Sequence, residues 1–121
     1  MNVRKVAVNG IEIAIVNSDE VCISDVQSAL DFMMTVNYET GSHRIAVAKE
    51  AFVEDFFDLR TRIAGEILQK AVTYQFKLAI FGDFSGYTSK ALADFMYESN
   101  QGRDIFFVPS EEIAIEKLSR A

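Results

Sequence analysis

Two short stretches hold the side chains best suited to chemistry. Gly82-Asp83-Phe84-Ser85-Gly86-Tyr87-Thr88 is the densest group of small polar residues in the chain, and Glu54, Asp55 and Asp58 are interleaved with Phe52, Phe56 and Phe57. A carboxylate beside hydroxyls can serve as a general base or orient a hydrogen-bonded ligand. Asp83 or Glu54 is the candidate base, and Ser85 or Tyr87 the candidate hydrogen-bonding group. The same residue types also build turns and helix caps without any ligand. The candidate ligand- or partner-binding residues are Asp83, Ser85, Tyr87, Thr88, Glu54, Asp55 and Asp58; none is assigned as catalytic or as a metal ligand.

Several chemistries fit poorly. A serine nucleophile needs an adjacent base, and the only histidine, His43, opens a strand. That puts it at the opposite end of a parallel sheet from Ser85, roughly 15 Å away for a five-residue strand. Zinc and iron lack ligands, since the chain has one Cys and one His. Magnesium would need Asp19, Glu50, Glu54, Asp55 and Asp83 to converge. Receiver domains, which build such a site, also carry a lysine after the last strand, where this chain has Val108-Pro109-Ser110. The two glycines of Gly82–Gly86 lack the Gly-Lys-Ser/Thr ending and the Rossmann spacing of phosphate loops, and Asp83 would repel phosphate. No cofactor is expected.

The elements that must position these residues follow from punctuation and period. Val3–Val8 and Ile11–Val16 are β-branched runs joined by Asn9-Gly10, the pair that suits a two-residue type I′ turn. Ser24 with Gln27 has capping-box spacing. It predicts a helix with Val26, Leu30, Met33 and Met34 on its apolar stripe, ending near Gly41. His43–Ala48 reads as a strand apolar on both faces. A helix is expected from about Asp55 to Gln75, with Ile63, Ile67, Ala71 and Tyr74 inward and the carboxylates at its positive end. Gly65 within it suggests close packing against a neighbour. Lys77–Phe81 is the next strand. Thr88 or Ser89 caps a helix with Leu92, Phe95 and Met96 inward, closed by Asn100 and Gly102. Asp104–Val108 is the last strand. After Pro109, Ser110 caps a helix with Glu111 and Glu112 in its first turn and Lys117 and Arg120 in its last.

The order ββαβαβαβα describes a hairpin followed by three βαβ units in one domain, residues 1–121. The fold class is α/β: a five-stranded mixed, mostly parallel sheet with four helices, its parallel strands linked by right-handed crossovers. Ligands of parallel sheets gather at the carboxyl ends of the strands. The candidate rim is therefore Asn17–Glu20, Glu50–Asp55, Asp83–Thr88 and Pro109-Ser110.

Composition narrows the partners. A formal net charge of −6 disfavours nucleic acid, which needs a Lys/Arg face; Arg60, Arg62 and Lys70 cluster on one predicted helix but have acidic neighbours. No apolar run approaches the roughly 20 residues of a membrane helix, and no leader-like segment opens the chain, so no membrane partner is expected. The single cysteine, Cys22, lies in apolar Val21-Cys22-Ile23 and fits a reducing, cytoplasmic setting as a small core residue. The first strand is a sheet edge, which invites a homodimer unless Arg4 and Lys5 discourage it.

The stretches Phe56–Lys70 (FFDLRTRIAGEILQK), Phe81–Val108 and Ser110–Leu118 (SEEIAIEKL) carry a family resemblance. Over nearly its whole length the chain resembles an uncharacterised bacterial family, domain of unknown function 4180, which implies no activity. More distantly, the element order is similar to the STAS (anti-sigma-factor antagonist) fold. That likeness implies a small domain that binds a partner protein and is switched by phosphorylation of a hydroxyl between the third strand and second helix. Here the corresponding Val53–Asp58 has no hydroxyl. The expectation is a non-enzymatic, STAS-like interaction or regulatory domain without that phosphoacceptor, meeting a protein partner through Glu54–Asp58 and Asp83–Tyr87. The alternative is a small-molecule-binding domain or enzyme with an acidic site at the strand ends. It requires a concave pocket and a carboxylate of raised pKa.

Overall fold

A computed structural model describes residues 1–121. Strand β1 (Asn2–Val8) turns through Asn9 and Gly10, both at positive φ as a type I′ turn demands, into β2 (Ile11–Asn17). Then come α1 (Val26–Thr40), β3 (Arg44–Ala48), α2 (Ile63–Thr73), β4 (Lys77–Phe81), α3 (Lys90–Asn100), β5 (Ile105–Val108) and α4 (Glu111–Arg120). The sheet order is β1-β2-β3-β4-β5, with only β1 antiparallel to its neighbour. The expected α/β architecture is present.

This order runs across the sheet without reversing. Right-handed crossovers therefore lay α1, α2 and α3 on one face and leave the other to α4. The strands alternate accordingly. Ala14, Val16, Ile45, Val47, Leu78, Ile80, Ile105 and Phe107 join the larger core with Met33, Val36, Ile67, Ala71 and Leu92. Ile13, Ile15, Ala46, Ala79, Phe106 and Val108 pack on Ala114 and Leu118 of α4. Alanines at 46, 79 and 114 let α4 lie close to the sheet. Arg44 fixes its far end by donating from Nη1 to the Leu118 carbonyl.

Several expected details shift. The cap of α1 is Asp25, not Ser24: its carboxylate accepts from the Ser28 N–H at 2.8 Å, and the Ser28 hydroxyl accepts from the Asp25 N–H at 3.0 Å. The capping box is real but one residue later, with the stronger carboxylate acceptor taking the role. Gly41 closes α1 at φ 76° as expected. The buried stripe of α1 runs through Ala29, Phe32, Met33 and Val36, and Met34 is exposed. Ser89, rather than Thr88, caps α3, and its C-cap is Gln101; Asn100 serves β5 instead.

The largest correction concerns Asp55–Gln75. The chain leaves β3 through a 3-10 turn at Lys49–Ala51 and approaches α2 through two more, Glu54–Phe57 and Leu59–Thr61, so that α2 begins only at Ile63. Phe56 and Phe57 are both buried in the larger core. The Asp58 carboxylate accepts from the Arg60 N–H, the Thr61 hydroxyl donates to the carbonyls of Asp55 and Asp58, and Arg62 turns left-handed at φ 66°. These local bonds outcompete the helix. The carboxylates accordingly do not sit on the positive end of α2. Tyr74 is exposed, and Gly65 lies on the open side of α2, where a Cβ would meet nothing within 4 Å; neither packs inward.

Candidate functional site

The rim at the carboxyl ends of β3 and β4 is built around a residue the sequence reading overlooked, Lys49. The parallel register pairs Ala48 with Phe81, so the next residues, Lys49 and Gly82, leave the sheet side by side. Gly82 has φ +156°, and a Cβ there would lie 3.0 Å from the Lys49 Cβ. Only glycine fits both the backbone and the space. The Lys49 ammonium donates to the Asp83 carbonyl at 2.6 Å and stands 5.1 Å from the Tyr87 ring centroid and 5.8 Å from that of Phe84. It ties the exit of β3 to the turn after β4 through a charged hydrogen bond and two aromatic faces. Equivalent positions just past adjacent parallel strands are the signal that could have found it.

Around Lys49 the structure gathers four of the expected residues. The Tyr87 hydroxyl donates to Glu54 Oε1 at 2.7 Å and Oε2 at 3.0 Å. Its ring stacks on Phe57, with centroids 5.1 Å apart, and lies near Phe84. Burial of the phenol first, then the hydrogen bond and charge of Glu54, push the Tyr87 pKa well above its ordinary value, so the hydroxyl keeps its proton. The Asp83 carboxylate accepts from the Ser85 N–H at 2.9 Å, closing a local turn. The Ser85 hydroxyl and backbone N–H lower the Asp83 pKa, and the Lys49 charge adds to them.

Asp55, Asp58 and Thr88 stand apart. Asp58 pairs with Arg60, whose Nη2 lies 2.9 Å from Oδ2. Hydrogen bonds from the Arg60 side chain and backbone hold its carboxyl below the usual range. Asp55 and Thr88 are exposed. The five carboxylates weighed for magnesium do not converge, and no three His, Cys, Asp or Glu side chains gather closely enough to hold a metal ion. His43 lies at the other end of the sheet, where its carbonyl accepts from Lys77, its ring packs on Phe76 at 4.9 Å and its Nδ1 lies 3.4 Å from Asn37. It is out of reach of Ser85.

Two open hollows flank the rim. One of about 590 Å³ lies between the Asp83 turn, Met96 of α3 and Phe107–Pro109. The other, of about 500 Å³, lies over the ends of β2 and β3 and is lined by Asn17, Asp19 and Glu50. The lowered Asp83 is the opposite of what a general base at neutral pH needs.

Fold and site together define an α/β domain with a polar and aromatic rim at the ends of its central parallel strands. The chain belongs to the family described as domain of unknown function (DUF4180), whose model matches residues 8–118. No curated protein and no solved structure matches it.

Proposed function

We propose that this domain is a non-enzymatic interaction or regulatory module of STAS-like type, which meets a protein partner through Glu54–Asp58 and Asp83–Tyr87. The observation that carries the reading is the state of the rim's ionisable groups. Glu54 and Tyr87 are bonded to each other, Asp83 is bonded to Ser85 with a lowered pKa, and Tyr87 keeps its proton. Asp83 with its lowered pKa and Tyr87 with its raised one are both moved away from neutrality, and all three side chains are fixed in place as recognition groups. The sheet order adds support: it has no reversal, so it lacks the switch-point crevice in which open α/β sheets bind small ligands. The partner is met in the cytoplasm, where Cys22 stays reduced.

The test is affinity capture from extracts of the source organism with wild type, Asp55→Lys and Ser85→Arg. Both altered side chains are exposed, so both variants should fold. A partner retained by wild type and lost by both is expected; no specific partner, or the same partners with all three baits, overturns the reading.

The hollow beside Phe107 favours a second reading, a small-molecule site with Asp83 and Ser85 at its mouth. A metabolite that raises the melting temperature of wild type but not of Ser85→Arg would replace the first reading with this one.

A further inference from the structure

The outer edge of β5 is occupied by a side chain. The Leu78 N–H donates to the Asp104 carbonyl and the Gly82 N–H to that of Val108, so even-numbered residues of β5 aim their backbone groups at β4. Alternate residues of a strand turn to opposite neighbours, so Ile105 and Phe107 aim theirs outward, where the sheet has no sixth strand. At Phe107 both groups are taken by Asn100, the last residue of α3. Its Nδ2 donates to the Phe107 carbonyl at 3.0 Å, and its Oδ1 accepts from the Phe107 N–H at 2.7 Å. The carboxamide offers one donor and one acceptor side by side, as a peptide group of a neighbouring strand would.

We infer that Asn100 is an edge guard that keeps β5 from pairing with the β5 of a second copy of this chain. The occupant follows from the register. In an antiparallel β5 pair about a twofold axis, Ile105 of each copy faces Phe107 of the other. Those are the two residues whose backbone groups point outward. The contact is self-complementary and closes as a dimer. Nothing else on the strand resists it, because Ile105–Val108 is uncharged and free of proline. The opposite edge, β1, carries Arg4 and Lys5 for the same purpose.

Sedimentation velocity of wild type, Asn100→Ala and Asn100→Asp at neutral pH, over a wide concentration range, tests this. Asn100→Ala leaves both backbone groups of buried Phe107 unpaired. Asn100→Asp is isosteric and decides the matter should the alanine variant fail to fold; it keeps the acceptor but turns a charged oxygen toward the Phe107 carbonyl. Each folded variant should self-associate about tenfold or more tightly than wild type, ~1.4 kcal/mol. In hydrogen exchange the Phe107 amide should lose protection in dilute Asn100→Ala and regain it as dimer forms, whereas in Asn100→Asp, which keeps the acceptor, it should stay protected throughout. Variants that sediment as wild type throughout, or a dimer that leaves the Phe107 amide unprotected, overturn the inference.

Discussion

At the scale of single residues, Lys49 and Tyr87 set the character of the rim. Lys49→Met keeps the stem that packs beside Gly82 but removes the ammonium from the Asp83 carbonyl and from two rings. A charged hydrogen bond and exposed cation–π contacts contribute modestly here, so a loss of about 1 kcal/mol is expected in urea unfolding. The Asp83 pKa should also move up toward its ordinary value, because Lys49 is one of the influences that lower it. An NMR titration reads that shift; a carboxyl that does not move would show that Ser85 alone sets it. Tyr87 makes a prediction at the alkaline end. Its pKa is raised in the fold, so the unfolded chain loses the proton first. The contribution of Tyr87 is complete below its ordinary value of 10.0 and declines as pH rises toward the folded value. The tyrosinate absorbance titration of wild type should carry a late step that Tyr87→Phe lacks.

At the scale of elements, short-range chemistry explains both what the sequence announced and what it concealed. Asn9-Gly10, Gly41 and Ser110 each leave one economical conformation, and each forms as read. Ser24 and Asp25 are both good caps, and only Ser28 at the matching position decides between them. Asp25→Ala should therefore lower the melting temperature more than Ser24→Ala; equal effects would contradict the cap geometry. The 3-10 entry to α2 was hidden because Asp58 and Thr61 read equally well as residues of a first helical turn, and only their bonds with the Arg60 N–H and with the Asp55 and Asp58 carbonyls turn the chain otherwise. Lys49 was hidden likewise, since its partners lie on another strand's exit. Gly82 and Gly65 make an opposed pair of predictions. Gly82→Ala puts a Cβ at φ +156° and 3.0 Å from Lys49, and should cost about 1–3 kcal/mol. Gly65→Ala, in the first turn of α2 with open space around it, should stabilise by about 0.5 kcal/mol. Chemical denaturation of the two variants measures both.

At the scale of the whole molecule, the five-strand order makes two unlike faces, and the second depends on one short helix. Helix α4 alone covers Ile13, Ile15, Ala46, Ala79, Phe106 and Val108. Its two ends are tied to the sheet by charge. Arg44 holds the C-terminal carbonyl of Leu118, while at the N-terminus Glu111 accepts from Arg4 of β1 and, at 3.2 Å, from Asn17 of β2. Glu111 thus joins the sheet's first edge to the helix that spans its centre, and its charge also suits the helix's positive end. The Arg4 hydrogen bond, opposed by partial burial and reinforced by Asn17, lowers the Glu111 pKa below its ordinary 4.5. Between the folded and unfolded values the unfolded chain binds more protons than the native state, so stability rises with pH across that window. The contribution of Glu111 is complete above about pH 4.5 and disappears as pH falls through the lower folded value. Arg4 is 45% exposed, so solvent and salt screen the pair. The expected signature is consequently a slope rather than a large offset. Between neutral pH and about pH 3, wild type should lose more stability than Glu111→Gln, and 1 M salt should narrow the difference. Parallel acid slopes for the two proteins would mean that α4 is held by its apolar face alone, with the polar tie at its N-terminus contributing nothing to the balance.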